Sequence, residues 1–149
     1  MTQDRPAVAS VDIAAPVEAV WEALTRPELV RRYFHGTDIV TDWQVGGPVY
    51  WRGEWNGQSY EDKGIVLALE PGKLLTVTHW SPMGGTEDMP ENYHVVTYEL
   101  TRAGDVTHVV VTQSNNPTPE AAESMAENGW MPILKGLKAV AEGSAAASN

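Results

Sequence analysis

The chain has 149 residues, 42% of them hydrophobic and 20% charged, which fits a single domain with a core of its own. Twenty acidic residues against ten Lys and Arg give a formal net charge of −10, which argues against nucleic acid and against an anionic membrane surface as partners. The absence of cysteine excludes disulfides, thiolate metal sites and cysteine nucleophiles. Met1 to Ser10 has no apolar run, so no secretory signal is expected. No stretch approaches the roughly 18 apolar residues of a membrane span. A cytoplasmic protein with no membrane insertion is the expectation.

In chain order, Val8 to Ile13 alternates and reads as a first strand. Pro16 stands where a helix would start, and Val17, Val20, Trp21 and Leu24 follow at helical spacing. Pro27 ends that helix, and Glu28 to Tyr33 reads as a second short one. From Thr37 onward the pattern is of strands separated by turns: Ile39 to Val45, Val49 to Trp55, Ser59 to Glu70 and Leu74 to Trp80. Asn56-Gly57 is the strongest two-residue hairpin signal in the chain. A loop from Ser81 to Asn92 is long enough to suggest a lid. Tyr93 to Thr101 and Val106 to Gln113 then form a last hairpin. Thr118 and Pro119 open a C-terminal helix whose apolar stripe runs from Met125 through Trp130, Leu134 and Leu137 to Ala141. Gly129 and Pro132 predict a kink or a break within it. The predicted organisation is an extension over 1–7, one domain over 8–142 and a flexible tail over 143–149.

The opening Ile13-Ala14-Ala15-Pro16 into Val20-Trp21-Glu22-Ala23-Leu24 resembles that of the START-like (SRPBCC, Bet v 1-like) superfamily. More narrowly it resembles the bacterial activator-of-heat-shock-ATPase-homologue (AHSA-type) branch. Arg31 to Gly36, Val45-Gly46-Gly47, Gln113-Ser114 and Asn128-Gly129-Trp130 support the likeness over about residues 8–142. The resemblance implies an α+β helix-grip fold: a curved antiparallel sheet of about six or seven strands wraps a long C-terminal helix, with two short helices after the first strand. It also implies an apolar cavity between sheet and helix, used by most members for small hydrophobic ligands and by some for cyclase, aromatase or hydrolase chemistry. Two departures are Phe34, where the family usually carries Trp, and Pro132 inside the final helix.

None of the four histidines, His35, His79, His94 and His108, stands at a metal-ligand spacing, so no metal and no cofactor are expected. No nucleophile motif is present, and Gly46-Gly47 and Gly84-Gly85 read as turns. His79 is in step with Leu75 and Val77 and would face the apolar side; its blander reading is a strand-end histidine bonded to backbone. Asp38, Asp42, Glu61 and Asp62 read as solvated surface, with Asp12, Asp62 and Glu99 alternating outward.

The aromatic set, six Trp and five Tyr against one Phe, suits a cavity wall as well as a core. Placing the strand phases in a helix-grip gives a candidate ligand-binding set: Trp51, Val77, His79, Val96, Tyr98 and Gln113 from the sheet. Met125, Trp130 and Leu134 complete it from the helix. No catalytic residue is assigned. The first reading is a binder of a small hydrophobic molecule. The second is an enzyme of the cyclase, aromatase or hydrolase kind with His79 or Tyr98 as proton donor, and the third is a chaperone partner or other interaction module. A homodimer stays open; a protein partner has no sequence feature in its support.

Overall fold

The computed structural model describes residues 6–34, 36–55, 57–82 and 86–147. His35, Asn56, Gly84-Gly85, most of the 1–7 extension and the end of the 143–149 tail lie outside them. Seven strands form one antiparallel sheet: β1 (Ala7–Ile13), β2 (Asp38–Val40), β3 (Pro48–Trp55), β4 (Gln58–Glu70), β5 (Leu74–His79), β6 (His94–Ala103) and β7 (Val106–Gln113). Their order is β1-β7-β6-β5-β4-β3-β2, so the first strand closes on the last and two short helices bridge to the far edge. These are α1 (Val17–Thr25) and α2 (Pro27–Tyr33), divided at Arg26, whose extended backbone is what a following proline demands. A shift of register between Val66 and Ala68 bends β4 against β5 and helps curve the sheet.

After β7 the chain turns through Asn116, whose side-chain amide donates to the Gln113 carbonyl at 3.0 Å. Thr118 caps α3 (Pro119–Ser124), its hydroxyl accepting from Ala121 N–H at 3.0 Å. A π-helical turn (Met125–Trp130) leads directly into α4 (Met131–Ala147). The helical run stays unbroken through Gly129 and Pro132, with the irregularity expected there taking the form of the wider turn. A proline lacks the N–H that would bond four residues back, and its ring crowds that carbonyl. Here the Met131 N–H instead reaches Ala126 O, five residues back.

The core lies between the inward face of the sheet and α4, where Ile13, Leu75, Leu134 and Leu137 are fully buried. Each such side chain contributes about 1.5–3 kcal/mol by leaving water. The principal contacts of α4 with other elements are with β1, α1 and α2, so its backbone stands off β3 to β6. Gly136 sets that position: a Cβ there would come within 2.6 Å of Tyr33 Cβ on α2.

Three expectations are corrected. The strand expected over Ile39 to Val45 is only Asp38–Val40, because Trp43 takes a φ of 55° and its indole N–H donates to Thr25 O at 3.0 Å, turning the chain toward α1. The tail expected to fray at Gly143 is helical through Ala147, in keeping with the high helix propensity of Ala145 to Ala147. The described part of the Ser81 to Asn92 loop does not lie over the inward face. Asp88 pairs with Lys63, and Tyr93 Oη donates to Asp88 at 2.6 Å while its ring stacks on Trp80, all on the outward side of β4.

Helix propensity alone predicts that Gly136→Ala stabilises α4 by up to about 1 kcal/mol. The close approach to Tyr33 reverses the sign. Urea unfolding of Gly136→Ala is expected to show a net loss of stability, and a gain would show that α4 can move off α2 without cost.

Candidate functional site

Between the sheet and the π-helical turn lies a cavity of about 230 Å³. Its walls are mostly apolar and aromatic. β3 contributes Trp51, β5 Val77 and His79, β6 Val96 and Tyr98, and β7 Gln113. Inward-facing positions on neighbouring strands therefore converge, as the period of two requires. Met125 and Trp130 close the cavity from the π-helical turn. Of the candidate set, only Leu134 is elsewhere: it is fully buried in the core, and its neighbour Ile133 takes the wall.

Gln113 and Trp130 form a buried polar link between the two layers. The Trp130 indole N–H donates to Gln113 Oε1 at 2.9 Å, and both side chains are buried. Trp130 also packs edge-on against Tyr98, with ring centroids 5.8 Å apart. Gly129 lies in the same wall beneath Met125, and any Cβ there would run into the Met125 sulfur.

The opposite wall carries a carboxylate that the sequence reading placed in solvent. Asp62 on β4 lines the cavity, and its side chain is 15% exposed. It stands directly across from Trp51, whose inward direction it shares. Its Oδ2 is 2.9 Å from His79 Nε2, so His79 is bonded to a side chain and not to backbone. The imidazole also meets Trp51 edge-on at 5.0 Å between centroids. Asp62 Oδ1 is buried and has no hydrogen-bond partner among the described residues. Glu61, one residue earlier, faces outward and pairs with Arg52 at 2.6 Å, as expected of surface.

Phe34, at the end of α2, Asp62, Gly129 and Ile133 are the wall residues that the sequence reading missed. For Asp62 a signal existed. The hairpin signal in the sequence at Asn56-Gly57 implies Trp55 opposite Gln58, and counting back brings Trp51 opposite Asp62, which is the observed register. Among the described residues no group of His, Asp and Glu could hold a metal ion.

Burial shapes the titration of the wall and its surroundings. It pushes the Tyr98 phenol far above its ordinary value of 10.0. It does the same to Tyr33, with Tyr98 adding to the rise, while Tyr33 Oη donates to Ala23 O at 2.7 Å.

Comparison with known proteins decides the family. The model described as "Activator of Hsp90 ATPase homolog 1-like protein" matches residues 14–142. The chain belongs to that family. A family relative of known structure is ChR145 from Cytophaga hutchinsonii, 42% identical over 93% of this chain and 96% of that one, with a TM-score of 0.78. The Aha1 dimer from Colwellia psychrerythraea is 23% identical over 92% and 96%, with a TM-score of 0.69. DynU16, a putative protein in the dynemicin biosynthetic locus, is 22% identical over 96% of this chain and 49% of that one, with a TM-score of 0.76. The last two likenesses are of fold. No curated protein sequence matches the chain. No described helix is long and apolar enough to cross a membrane.

Because the folded protein holds both phenols neutral while the unfolded chain ionises near its ordinary value, unfolding releases protons above about pH 10. Stability is fully present below that pH and is lost as pH rises toward the folded values. Urea unfolding from pH 8 to about 11 is expected to show this alkaline decline, with a smaller decline in Tyr98→Phe. An identical decline in the variant would show that Tyr98 ionises freely.

Proposed function

We propose that the chain binds a small, largely apolar molecule, with aromatic rings, in the cavity between the sheet and the π-helical turn. The observation that carries this reading is the cavity itself, with Trp51, Tyr98 and Trp130 around it and few polar groups. At about 230 Å³ it lies just under the roughly 300–1,000 Å³ of drug-sized sites, so a compact ligand fits better than a sterol or a long acyl chain. Burial of apolar ligand surface supplies the affinity, at about 25 cal/mol per Å². Orientation comes from the few polar groups. Gln113 Oε1 is engaged by Trp130, so its amide nitrogen is the atom it can offer. Tyr98, held neutral, keeps its hydroxyl proton as a donor. The likeness of fold to DynU16, from a biosynthetic locus, agrees with a small-molecule role.

An enzyme acting on a small apolar substrate in the same cavity is the second reading, and the Asp62–His79 pair in the wall is what favours it.

The test is thermal unfolding against a panel of compact aromatics, fatty acids and sterols. A ligand at 100 times its dissociation constant adds about 2.7 kcal/mol, a midpoint shift of roughly 5–10 °C for a domain of this size. Compact aromatics are expected to shift the midpoint, and Val77→Phe, which fills the cavity, is expected to abolish the shift. A flat panel, or shifts that survive in Val77→Phe, would overturn the reading.

A further inference from the structure

We propose that the cavity selects an aromatic ligand bearing a hydrogen-bond donor, and that Asp62 is the acceptor that reads it. This narrows the binding reading above and rests on it. The two carboxylate oxygens of Asp62 are not equivalent. Oδ2 is engaged by His79 Nε2 at 2.9 Å, whereas Oδ1 is buried with no hydrogen-bond partner among the described residues. A buried acceptor without a donor is costly, and more so when it carries charge.

The neighbouring inward positions of β4 and the cations of β3 and β4 give Asp62 no donor. Tyr60, the preceding inward position of β4, shares a hydrogen bond of 2.7 Å between its hydroxyl and Thr37 Oγ1. Gly64, the following one, has no side chain. It cannot acquire one either, since a Cβ would collide with the Thr78 carbonyl. The cations of β3 and β4 are paired on the outward face, Arg52 with Glu61 and Lys63 with Asp88. Oδ1 is therefore open to a donor that enters from the cavity, which Asp62 lines. The aspartate χ2 torsion is broad, so the carboxylate can turn Oδ1 toward a ligand while keeping His79. A ring lying against Trp51 and Tyr98 would bring a hydroxyl or ammonium substituent to that oxygen.

Calorimetric titration with naphthalene, 2-naphthol, 2-methoxynaphthalene and 2-naphthylmethylamine separates the cases. A hydrogen bond to a charged acceptor corresponds to about 10- to 100-fold in affinity. The intact protein is expected to bind 2-naphthol or the amine by that factor more tightly than naphthalene. The methoxy compound, which keeps the oxygen but lacks the donor, is expected to fall back to the naphthalene level. The naphthol and amine arms tell a hydroxyl from an ammonium. In Asp62→Leu, which keeps the shape and removes the acceptor, naphthalene is expected to bind more tightly and the donor preference to vanish. Equal binding of naphthalene and both donor compounds overturns the inference while leaving the cavity reading standing. So does a donor preference that survives Asp62→Leu. Binding of none of the four overturns both.

Discussion

A buried hydrogen bond in apolar surroundings ties the helix layer to the sheet beside the cavity: the Trp130 indole N–H on Gln113 Oε1. Both residues are buried, so little water competes for either group. Breaking the pair would leave an unsatisfied amide or indole at about 1–3 kcal/mol, a sizeable share of a domain's stability. The bond fixes where the helix crosses the end of β7, and with it the size of the space beneath. Asn116 and Thr118 support the same geometry by closing the chain reversal and starting the helix at a defined residue. The cavity is what remains when this anchor and the Gly136–Tyr33 contact define the path of the helix while β3 to β6 curve away.

The π-helical turn follows from the same constraint. Pro132 cannot continue a regular helix past Asn128, yet Trp130 must face Gln113 and Leu134 must face the core. Widening the turn reconciles these demands. It also places Gly129 and Met125 in the cavity wall, where a flexible thioether packs over a residue with no side chain. Across the cavity the Asp62–His79 pair gives the otherwise apolar chamber a polar end, so a ligand meets two chemically different walls.

Much of this was legible in the residues. Alternation in Leu75, Val77 and His79, or in Val96, Tyr98 and Leu100, assigns faces directly, because apolar residues mark the inward parity. The first half of β4, from Gln58 to Lys63, is polar at almost every position, so its own alternation carries no sign and Asp62 looked like surface. Its direction is recoverable only by carrying the phase of Trp51 across the hairpin. The exchange of Leu134 for Ile133 in the wall has another origin: they stand three and four residues past Trp130 on the same side of α4, and spacing alone does not say which one meets the cavity and which the core. Trp43 reads as strand because nothing local announces a positive φ at a bulky residue; only its indole bond to Thr25, across the fold, does. Whether aromatic side chains at these positions enclose a space or fill it is set by the path of the helix, which no local pattern encodes.

The central claim, an accessible apolar chamber and not a filled core, is tested most directly by methyl-resolved NMR under xenon pressure. Xenon enters apolar cavities and shifts the methyl groups that line them. The account predicts saturable shifts at Val77, Val96, Met125 and Ile133, with Leu137 and Val109 in the packed core unmoved. Shifts absent from the first group, or spread evenly over both, would contradict it.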